Sequence, residues 1–380
     1  MDGSTEPLLV GPRTRPTRSE PARDHRWCGR EELIIVKRLN SSVEGSSSEI
    51  KTVWRQETAI ETSFQTCSPA LDDDRVFVGG LGTSLYALSR EDGRIVWTVE
   101  RDGSMSDSSP AYHDGIVYVG SGGGSVYALD AEDGSIVWRY AGPSAITTSP
   151  IVRDGVVYVG RNDGVLLALD AVTGSVLFEF DTGSRIVSDI AYSSVEETLY
   201  FTSKTELRAH DAADGGRRVW AMPFSADVGA GSPAVDDSQG MVYFAANELR
   251  ALRSDDGSLS WGTSFFGTSA GSAPVFDERG VYVGGGSGTM YAIQHDESVL
   301  VNAPDWAFRT WDIAITATPA LGGDRLVAGS LKGDLYVLDA EAGTAEGHVE
   351  LPCELRSAPI VDDDRLFVAG DGGGVYAFEF

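Results

Sequence analysis

The chain has 380 residues, of which 57 are acidic and 30 are basic, so its formal charge at neutral pH is −27. Only 4 of the basic residues are lysine. This balance argues against nucleic acid as a partner, because no cluster of cations is available to displace the counterions of a phosphate backbone. The apolar stretches near the start are too short for a signal-peptide core or a membrane span, so we expect no membrane span. We favour a cytoplasmic location, and the alternative is that the true start differs from the given one.

Residues 1–50 differ in composition from the rest of the chain. They are rich in Ser, Pro, Thr and Arg and show no hydrophobic periodicity, which predicts a disordered tail. Residues 1–40 carry 8 basic and 6 acidic side chains, a charge of +2, so residues 41–380 carry −29. Such an acidic and lysine-poor surface resembles that of haloarchaeal proteins. In those proteins molar salt screens the repulsion between surface carboxylates. An ordinary acidic protein is the alternative.

From residue 51 onward one sequence unit returns eight times at intervals of about 40 residues, and its clearest copy runs from Ser109 to Trp138. The position before the first hairpin of each unit is marked by Pro69, Pro110, Pro150, Asp189 in place of Pro, Pro233, Pro274, Pro319 and Pro359. A fixed period of this length, with only strand signals inside each unit, is typical of a propeller or a solenoid.

Each unit has the pattern of four antiparallel strands, A to D. In the clearest copy strand A is predicted at 110–112, strand B at 116–119, strand C at 126–129 and strand D at 136–138. Asp114-Gly115 forms the tight turn between A and B, since glycine accepts a positive φ, and β-branched and aromatic residues fill strand B. No stretch of the unit is long or periodic enough for a helix.

The two ends of the repeated region decide between a ring and an open solenoid. The eighth unit stops at Phe380 after strand C, whereas residues 51–56, around Trp54, have the pattern of an isolated strand D. Pairing these two segments closes the ring and removes the open sheet edges. The sequence therefore predicts an all-β fold, an eight-bladed β-propeller over residues 51–380. The seventh unit has no aromatic residue in strand D at 340–349, so we expect that strand to be loose.

Large aromatic residues recur in the D strands and are predicted to dock between neighbouring blades. They are Trp54, Trp97, Trp138, Phe178, Trp220, Trp261 and Trp306. The span ALDAEDGSIVW at 128–138 resembles the tryptophan-docking motif A-x-D-x-x-T-G-x-x-x-W of pyrroloquinoline-quinone (PQQ) type propellers, and degraded copies lie at 87–97, 168–178, 209–220 and 251–261. The chain is similar to the quinoprotein alcohol dehydrogenase-like superfamily and, in size, to BamB and its stand-alone relatives.

The resemblance implies two classes of function. One is a BamB-like scaffold that binds a protein or a small ligand without catalysis. The other is a PQQ-dependent dehydrogenase, which would imply a quinone and calcium in the central funnel, an aspartate base and usually adjacent cysteines. The three cysteines of this chain are not adjacent, and neither a base nor calcium ligands can be assigned in the sequence. We therefore expect a monomeric, non-catalytic scaffold with a protein partner and without a cofactor or metal.

Other motifs have simpler explanations. Gly267–Gly271 matches the G-x-S-x-G nucleophile elbow, but no helix follows it, so a loop between blades is favoured. Asp72–Asp74 and Asp362–Asp364 offer oxygen ligands for calcium, yet both lie at predicted A–B turns. The five histidines are scattered, and Cys67 and Cys353 are either free thiols or a disulfide between adjacent blades.

The B–C loops and the D–A segments of a propeller share one face, and several cations are expected there. They are Arg161, Lys204, Lys332, Arg185, Arg309 and Arg356. On so acidic a chain, this cationic rim could hold an anionic ligand or an acidic peptide. The alternative is that these side chains pair with nearby carboxylates.

Overall fold

The computed structural model describes residues 35–37, 50–58, 67–80, 82–105, 108–224, 231–246, 248–263, 272–294, 304–310 and 314–380. Their regular structure consists of eight antiparallel sheets, which we number as blades 1 to 8 along the chain. This confirms the predicted all-β, eight-bladed propeller.

Each blade contains one strand of every type. The A strands are Ala70–Leu71, Ala111–His113, Ile151–Arg153, Ala191–Ser193, Ala234–Asp236, Val275–Asp277, Ala320–Gly322 and Ile360–Asp362. The B strands are Arg75–Gly79, Ile116–Gly120, Val156–Gly160, Thr198–Thr202, Met241–Ala245, Gly280–Gly284, Arg325–Gly329 and Arg365–Gly370. The C strands are Ser84–Ser89, Ser125–Asp130, Val165–Asp170, Glu206–Asp211, Leu249–Arg253, Thr289–Ile293, Asp334–Asp339 and Gly374–Glu379. The D strands are Ile95–Glu100, Ile136–Ala141, Val176–Asp181, Arg218–Pro223, Leu259–Thr263, Trp306–Arg309, Ala345–Glu350 and, for blade 8, Lys51–Glu57.

The blades form a closed ring around their A strands. A strands of successive blades contact one another, so they lie innermost, and the D strands lie outermost. The strand Lys51–Glu57 pairs antiparallel with Gly374–Glu379, and Trp54 lies opposite Ala377. The predicted closure of the last blade by the segment around Trp54 is thus confirmed.

Aromatic residues of the D strands lie against the C–D turn of the next blade. Gly93 shows why the turn needs glycine: its φ is +72°, and a Cβ at this position would lie 2.5 Å from the Trp54 ring. The indole Nε1 groups donate hydrogen bonds to carbonyl oxygens of these turns, from Trp54 to Arg90 (2.9 Å), Trp97 to Ala131 (3.0 Å), Trp138 to Ala171 (2.8 Å), Trp220 to Ser254 (2.7 Å) and Trp306 to Ala340 (3.1 Å). Phe178 packs beside Gly216 in the same way, and Trp261 is fully buried.

Blade 7 departs from this pattern, but its outer strand is not loose. Strand D, Ala345–Glu350, pairs with strand C from Asp334 to Leu338, with a bulge like that of blade 2, and Gly347 occupies the position at which other blades carry the docking aromatic residue. The side chain of Ile50, which is 3% exposed, fills the space beside it. A Cβ on residue 347 would lie 2.5 Å from Ile50 Cδ1. The expectation of a loose strand was wrong because a residue that precedes the closing strand replaces the missing ring.

Part of the segment predicted to be a disordered tail belongs to the propeller. Ile35–Lys37 forms a fifth strand on blade 7, where it pairs antiparallel with His348–Glu350. The prediction therefore does not hold at these three residues or at the buried Ile50. Residues 1–34 and 38–49 lie outside the described residues.

Candidate functional site

The B–C loops and D–A segments form one face of the ring, which we call the loop face. Where the D–A segments reach the A strands, a side-chain oxygen of one blade accepts a hydrogen bond from a backbone N–H of the preceding blade. The links run from Ser68 N to Ser109 Oγ (2.9 Å), Ser109 N to Ser149 Oγ (3.1 Å), Ser149 N to Asp189 Oδ1 (2.7 Å), Asp189 N to Ser232 Oγ (3.1 Å) and Ala358 N to Ser68 Oγ (2.9 Å). These contacts fix the inner ends of the segments that they join.

In blade 4 the sequence pattern predicts Asp189 at the proline position, and this prediction is wrong. Asp189 accepts a hydrogen bond from Ser149 N in the way that Ser149 accepts one from Ser109 N, so it occupies the serine position. Ile190 stands in the place of Pro150, because each directly precedes strand A. The period at blade 4 is therefore regular, and a serine has been replaced by a carboxylate.

Asp189 is unusual at this position. At the equivalent positions the other blades carry Ser68, Ser109, Ser149, Ser232, Ala273, Thr318 and Ala358. The side chain of Asp189 is exposed to solvent, yet the surrounding blades desolvate it enough to raise its pKa, and the hydrogen bonds from Ser149 only partly oppose that shift. A carboxylate that is both solvent-exposed and desolvated fits a position facing the central channel of the ring.

Three of the six predicted rim cations are paired with carboxylates. Arg161 is almost fully buried and contacts Asp163 (2.6 Å) and Glu179 (3.0 Å), and its pKa is raised chiefly by the hydrogen bond to Asp163. In the other two pairings, Arg356 contacts Glu354 (2.6 Å) and Asp371 (3.0 Å), and Lys332 contacts Asp334 (3.6 Å). Arg309 ends strand D of blade 6 opposite Thr289. The paired interpretation therefore describes Arg161, Arg356 and Lys332.

Arg185 and Lys204 differ from these three. Both side chains are exposed, and neither forms an ion pair within the part of the chain that the structure describes. The antiparallel bridge between Ile186 and Ser203 places residue 185 opposite residue 204, so the two cations are cross-strand neighbours. Of the predicted rim, the structure thus brings together one pair of exposed cations in blade 4.

A second cluster of ionisable groups lies in blade 7, and the sequence analysis missed it. Ligand-type atoms of Asp334, His348 and Glu350 lie within 4.8 Å of one another, and His348 Nε2 lies 2.6 Å from Asp334 Oδ1. The imidazole stacks on Tyr336, with ring centroids 4.7 Å apart. The cluster is predictable once the C and D strands of blade 7 are paired in register, because Asp334 lies directly opposite Glu350 and Tyr336 opposite His348. When His348 is protonated, this arrangement is a buried ion pair.

The other sequence candidates have structural roles where they are described. Asp72 Oδ1 accepts hydrogen bonds from the backbone of Asp74 and Arg75, and Asp362 pairs with Arg90. Asp72 therefore stabilises its turn, and Asp362 forms an ion pair between blades. Cys67 and Cys353 are buried and are not joined by a disulfide. The Cys67 thiol accepts a hydrogen bond from Gly79 N at 3.3 Å, and the Cys353 thiol lies 3.6 Å from the Tyr376 hydroxyl. Gly267–Gly271 lies outside the described residues.

The opposite face, formed by the A–B and C–D turns, holds a cavity of about 690 Å³ that is lined by blades 5, 6 and 7. Tyr243, Phe276 and Trp306 contribute to its lining, together with several carboxylates. Its one described cation, Arg279, is paired with Asp277 and Asp324 (2.8 Å). In the described residues, no helix is long and apolar enough to cross a membrane.

The closed ring, the four-stranded blades and the docked tryptophans define an eight-bladed propeller of the PQQ-repeat class. A family model described as outer membrane protein assembly factor BamB matches residues 46–111, 101–215, 203–301 and 296–380, and the chain belongs to this family. A search of curated proteins gave no significant match.

Solved structures share the fold at low sequence identity. BamB from Moraxella catarrhalis superposes with a TM-score of 0.68 at 17% identity, over 86% of this chain and 98% of that chain. The computationally designed Ika8 protein gives 0.70 at 18% identity, over 87% and 100%. The quinohemoprotein alcohol dehydrogenase ADHIIG from Pseudomonas putida HK5 gives 0.67 at 14% identity, over 87% of this chain but 76% of that chain.

Proposed function

We propose that this propeller is a monomeric, non-catalytic scaffold that binds a protein partner through its loop face. The observation that carries the proposal is the exposed pair Arg185 and Lys204, held near the channel carboxylate Asp189 on a rigid closed ring. Groups displayed on an open and rigid surface suit the recognition of a partner, because little conformational entropy is lost when it binds.

The dehydrogenase alternative makes a demand that the described channel meets poorly. Calcium takes 6–8 oxygen ligands, several of them from carboxylates in most sites. Among the eight described positions equivalent to Ser68, at the inner ends of the D–A segments, one carries a carboxylate, Asp189, and its Oδ1 already accepts a hydrogen bond from Ser149 N at 2.7 Å. These residues do not fit the calcium and quinone site that the superfamily implies.

Site-specific crosslinking in the native extract tests which face is used. Lys332→Cys places a thiol in a B–C loop, and Val195→Cys places one in an A–B turn, where Val195 is 74% exposed. With a thiol-directed photocrosslinker, we expect one protein partner to be captured reproducibly through residue 332 and not through residue 195. The buried Cys67 and Cys353 should react little under native conditions, and the unsubstituted protein gives the background. Equal capture at both positions, or capture through residue 195 alone, would refute the assignment of the face.

A titration with PQQ and calcium separates the two classes of function. We expect no saturable change in the absorbance of the quinone when the purified protein is added. Stoichiometric binding that requires calcium would overturn the scaffold proposal in favour of a quinoprotein.

A further inference from the structure

Four exposed residues of blade 4 form a continuous strip on the loop face, which we call the blade 4 row: Arg185, Lys204, Val187 and Asp189. We propose that this row docks an extended segment of a protein partner that presents an acidic, an apolar and a basic side chain at alternate positions. The inference rests on the proposed function and names the chemistry of the partner.

The backbone geometry makes these residues a row. Along residues 185–189 exposed and buried side chains alternate, with Ile186 and Ser188 facing inward. Val187 N donates to Thr202 O at 3.0 Å, and Ser188 Oγ accepts from Thr202 N at 2.8 Å, so the segment is held against the end of strand B. In an extended chain, residues 185, 187 and 189 face the same side, and the first and last lie about 13 Å apart.

Within the described residues, neither end of the row has a counter-ion. Arg185 and Lys204 are like charges in cross-strand positions, an arrangement that destabilises unless an anion approaches. Val187 is 44% exposed between them and Asp189. Neither the cations nor Asp189 form an ion pair with any described residue, although the chain carries 57 acidic and 30 basic side chains. Arg161, in the corresponding loop of blade 3, contacts two carboxylates.

Blades 3 and 8 show that the fold does not require this arrangement of charges. The equivalent row of blade 3 is Ala145, Thr147 and Ser149, and Asn162 stands opposite Ala145. There the row is uncharged and closed by a hydrogen bond of 2.9 Å between the Thr147 hydroxyl and Asn162. The row of blade 8 carries Arg356, but that guanidinium pairs with Glu354 in the same row. Blade 4 therefore differs from blades 3 and 8 in displaying one positive and one negative end with an apolar centre.

An extended peptide matches this display. Its side chains alternate with a period of two, so positions i, i+2 and i+4 span the same distance of about 13 Å. A carboxylate at one end would face Arg185 and Lys204, an aliphatic side chain would cover Val187, and an ammonium or guanidinium would face Asp189. A wholly acidic segment would be repelled at Asp189, and a wholly basic one at the cation pair.

Three synthetic peptides test the inference on the full chain by titration calorimetry or by NMR at constant salt. The probes are acetylated and amidated Glu-Gly-Leu-Gly-Lys, Glu-Gly-Leu-Gly-Glu and Lys-Gly-Leu-Gly-Lys. We expect the bipolar peptide to bind about fivefold more tightly than either singly charged peptide, the upper range for one exposed ion pair. Equal affinity for all three peptides, or no binding of the bipolar one, would overturn the proposal.

The repeats supply matched variants that keep the fold. Arg185→Ala with Lys204→Asn installs the residues of blade 3, and should abolish the preference over the lysine peptide. Asp189→Ser installs Ser149's side chain, which can still accept the hydrogen bond from the preceding blade, and should abolish the preference over the glutamate peptide. Unchanged preferences in these variants, with unchanged thermal midpoints, would equally refute the row. If the peptides fail but face-specific crosslinking through residue 332 persists, the row is wrong and the scaffold function stands.

Discussion

The contact between Ile50 and Gly347 gives the sharpest test of how the ring is completed. Ile50→Ala removes buried carbons from a side chain that is 3% exposed, and we expect a loss of about 2–3 kcal/mol in the free energy of unfolding. Gly347→Ala adds a methyl group 2.5 Å from Ile50 Cδ1 and 2.9 Å from its Cγ1, so it overpacks the site by about 1–3 kcal/mol.

The double variant separates this contact from two unrelated defects. In Ile50→Ala/Gly347→Ala the new methyl group enters the space that the isoleucine leaves. The overpacking then disappears and the cavity shrinks. We therefore expect the double variant to lose less stability than the sum of the two single variants, by about 1–2 kcal/mol.

Denaturant unfolding of the four proteins at one fixed salt concentration measures the coupling. Ile186→Ala provides the control, because Ile186 is also fully buried but lies in the core cluster of blades 3 and 4. Combined with Gly347→Ala it should be additive within about 0.5 kcal/mol. Additivity of Ile50→Ala with Gly347→Ala would refute our account of blade 7, because the two side chains would then not share one space.

Three further predictions concern closure, pH and salt. Trp54→Ala should lower the free energy of unfolding by about 3–5 kcal/mol. Trp54→Phe, which loses mainly the hydrogen bond to Arg90, should lower it by about 1–2 kcal/mol. An unchanged denaturation midpoint for Trp54→Ala would show that the ring does not depend on this strand. Burial lowers the pKa of His210 to about 4, so as the pH falls the unfolded chain takes up a proton before the folded chain does. The free energy of unfolding should therefore fall between about pH 6.5 and 4, by up to about 3 kcal/mol. Denaturation at stepped pH should show that His210→Gln flattens this slope. Because the net charge is −27, the thermal midpoint should rise from about 0.1 M to about 2 M KCl, and a flat or falling curve would contradict self-repulsion as a destabilising factor.

The repeated pattern made the blades predictable because local chemistry specifies them. Turn glycines such as Gly115, with a φ of +80°, and the buried β-branched runs that follow them fix the hairpins. Ring closure was predictable for the same reason, since the segment around Trp54 carries every feature of a D strand except its neighbours. Residue type alone places the proline marker of blade 4 wrongly at Asp189. The distance of the marker from strand A assigns it to Ile190 instead.

Contacts between segments far apart in sequence were beyond the reach of the pattern. The repeat shows that residue 347 lacks a ring, but it cannot show that Ile50 fills the gap. The sequence also could not predict which cations form ion pairs, because nearly every cation of this chain has carboxylates nearby in the sequence. Arg161 and Lys204 lie in equivalent loops, yet only the structure shows that Arg161 turns to Asp163 and that Lys204 stands beside another cation.

Eight copies of one unit allow the chain to serve as its own reference. A departure from the common pattern costs stability unless packing compensates for it or a function requires it. At Gly347 the compensation is visible, since Ile50 occupies the space. At Asp189, Arg185 and Lys204 packing offers none: the carboxylate is desolvated, and the two cations stand side by side without a described counter-ion. This is the reason to expect the partner at blade 4, and the neutral row of blade 3 is the natural control for that expectation.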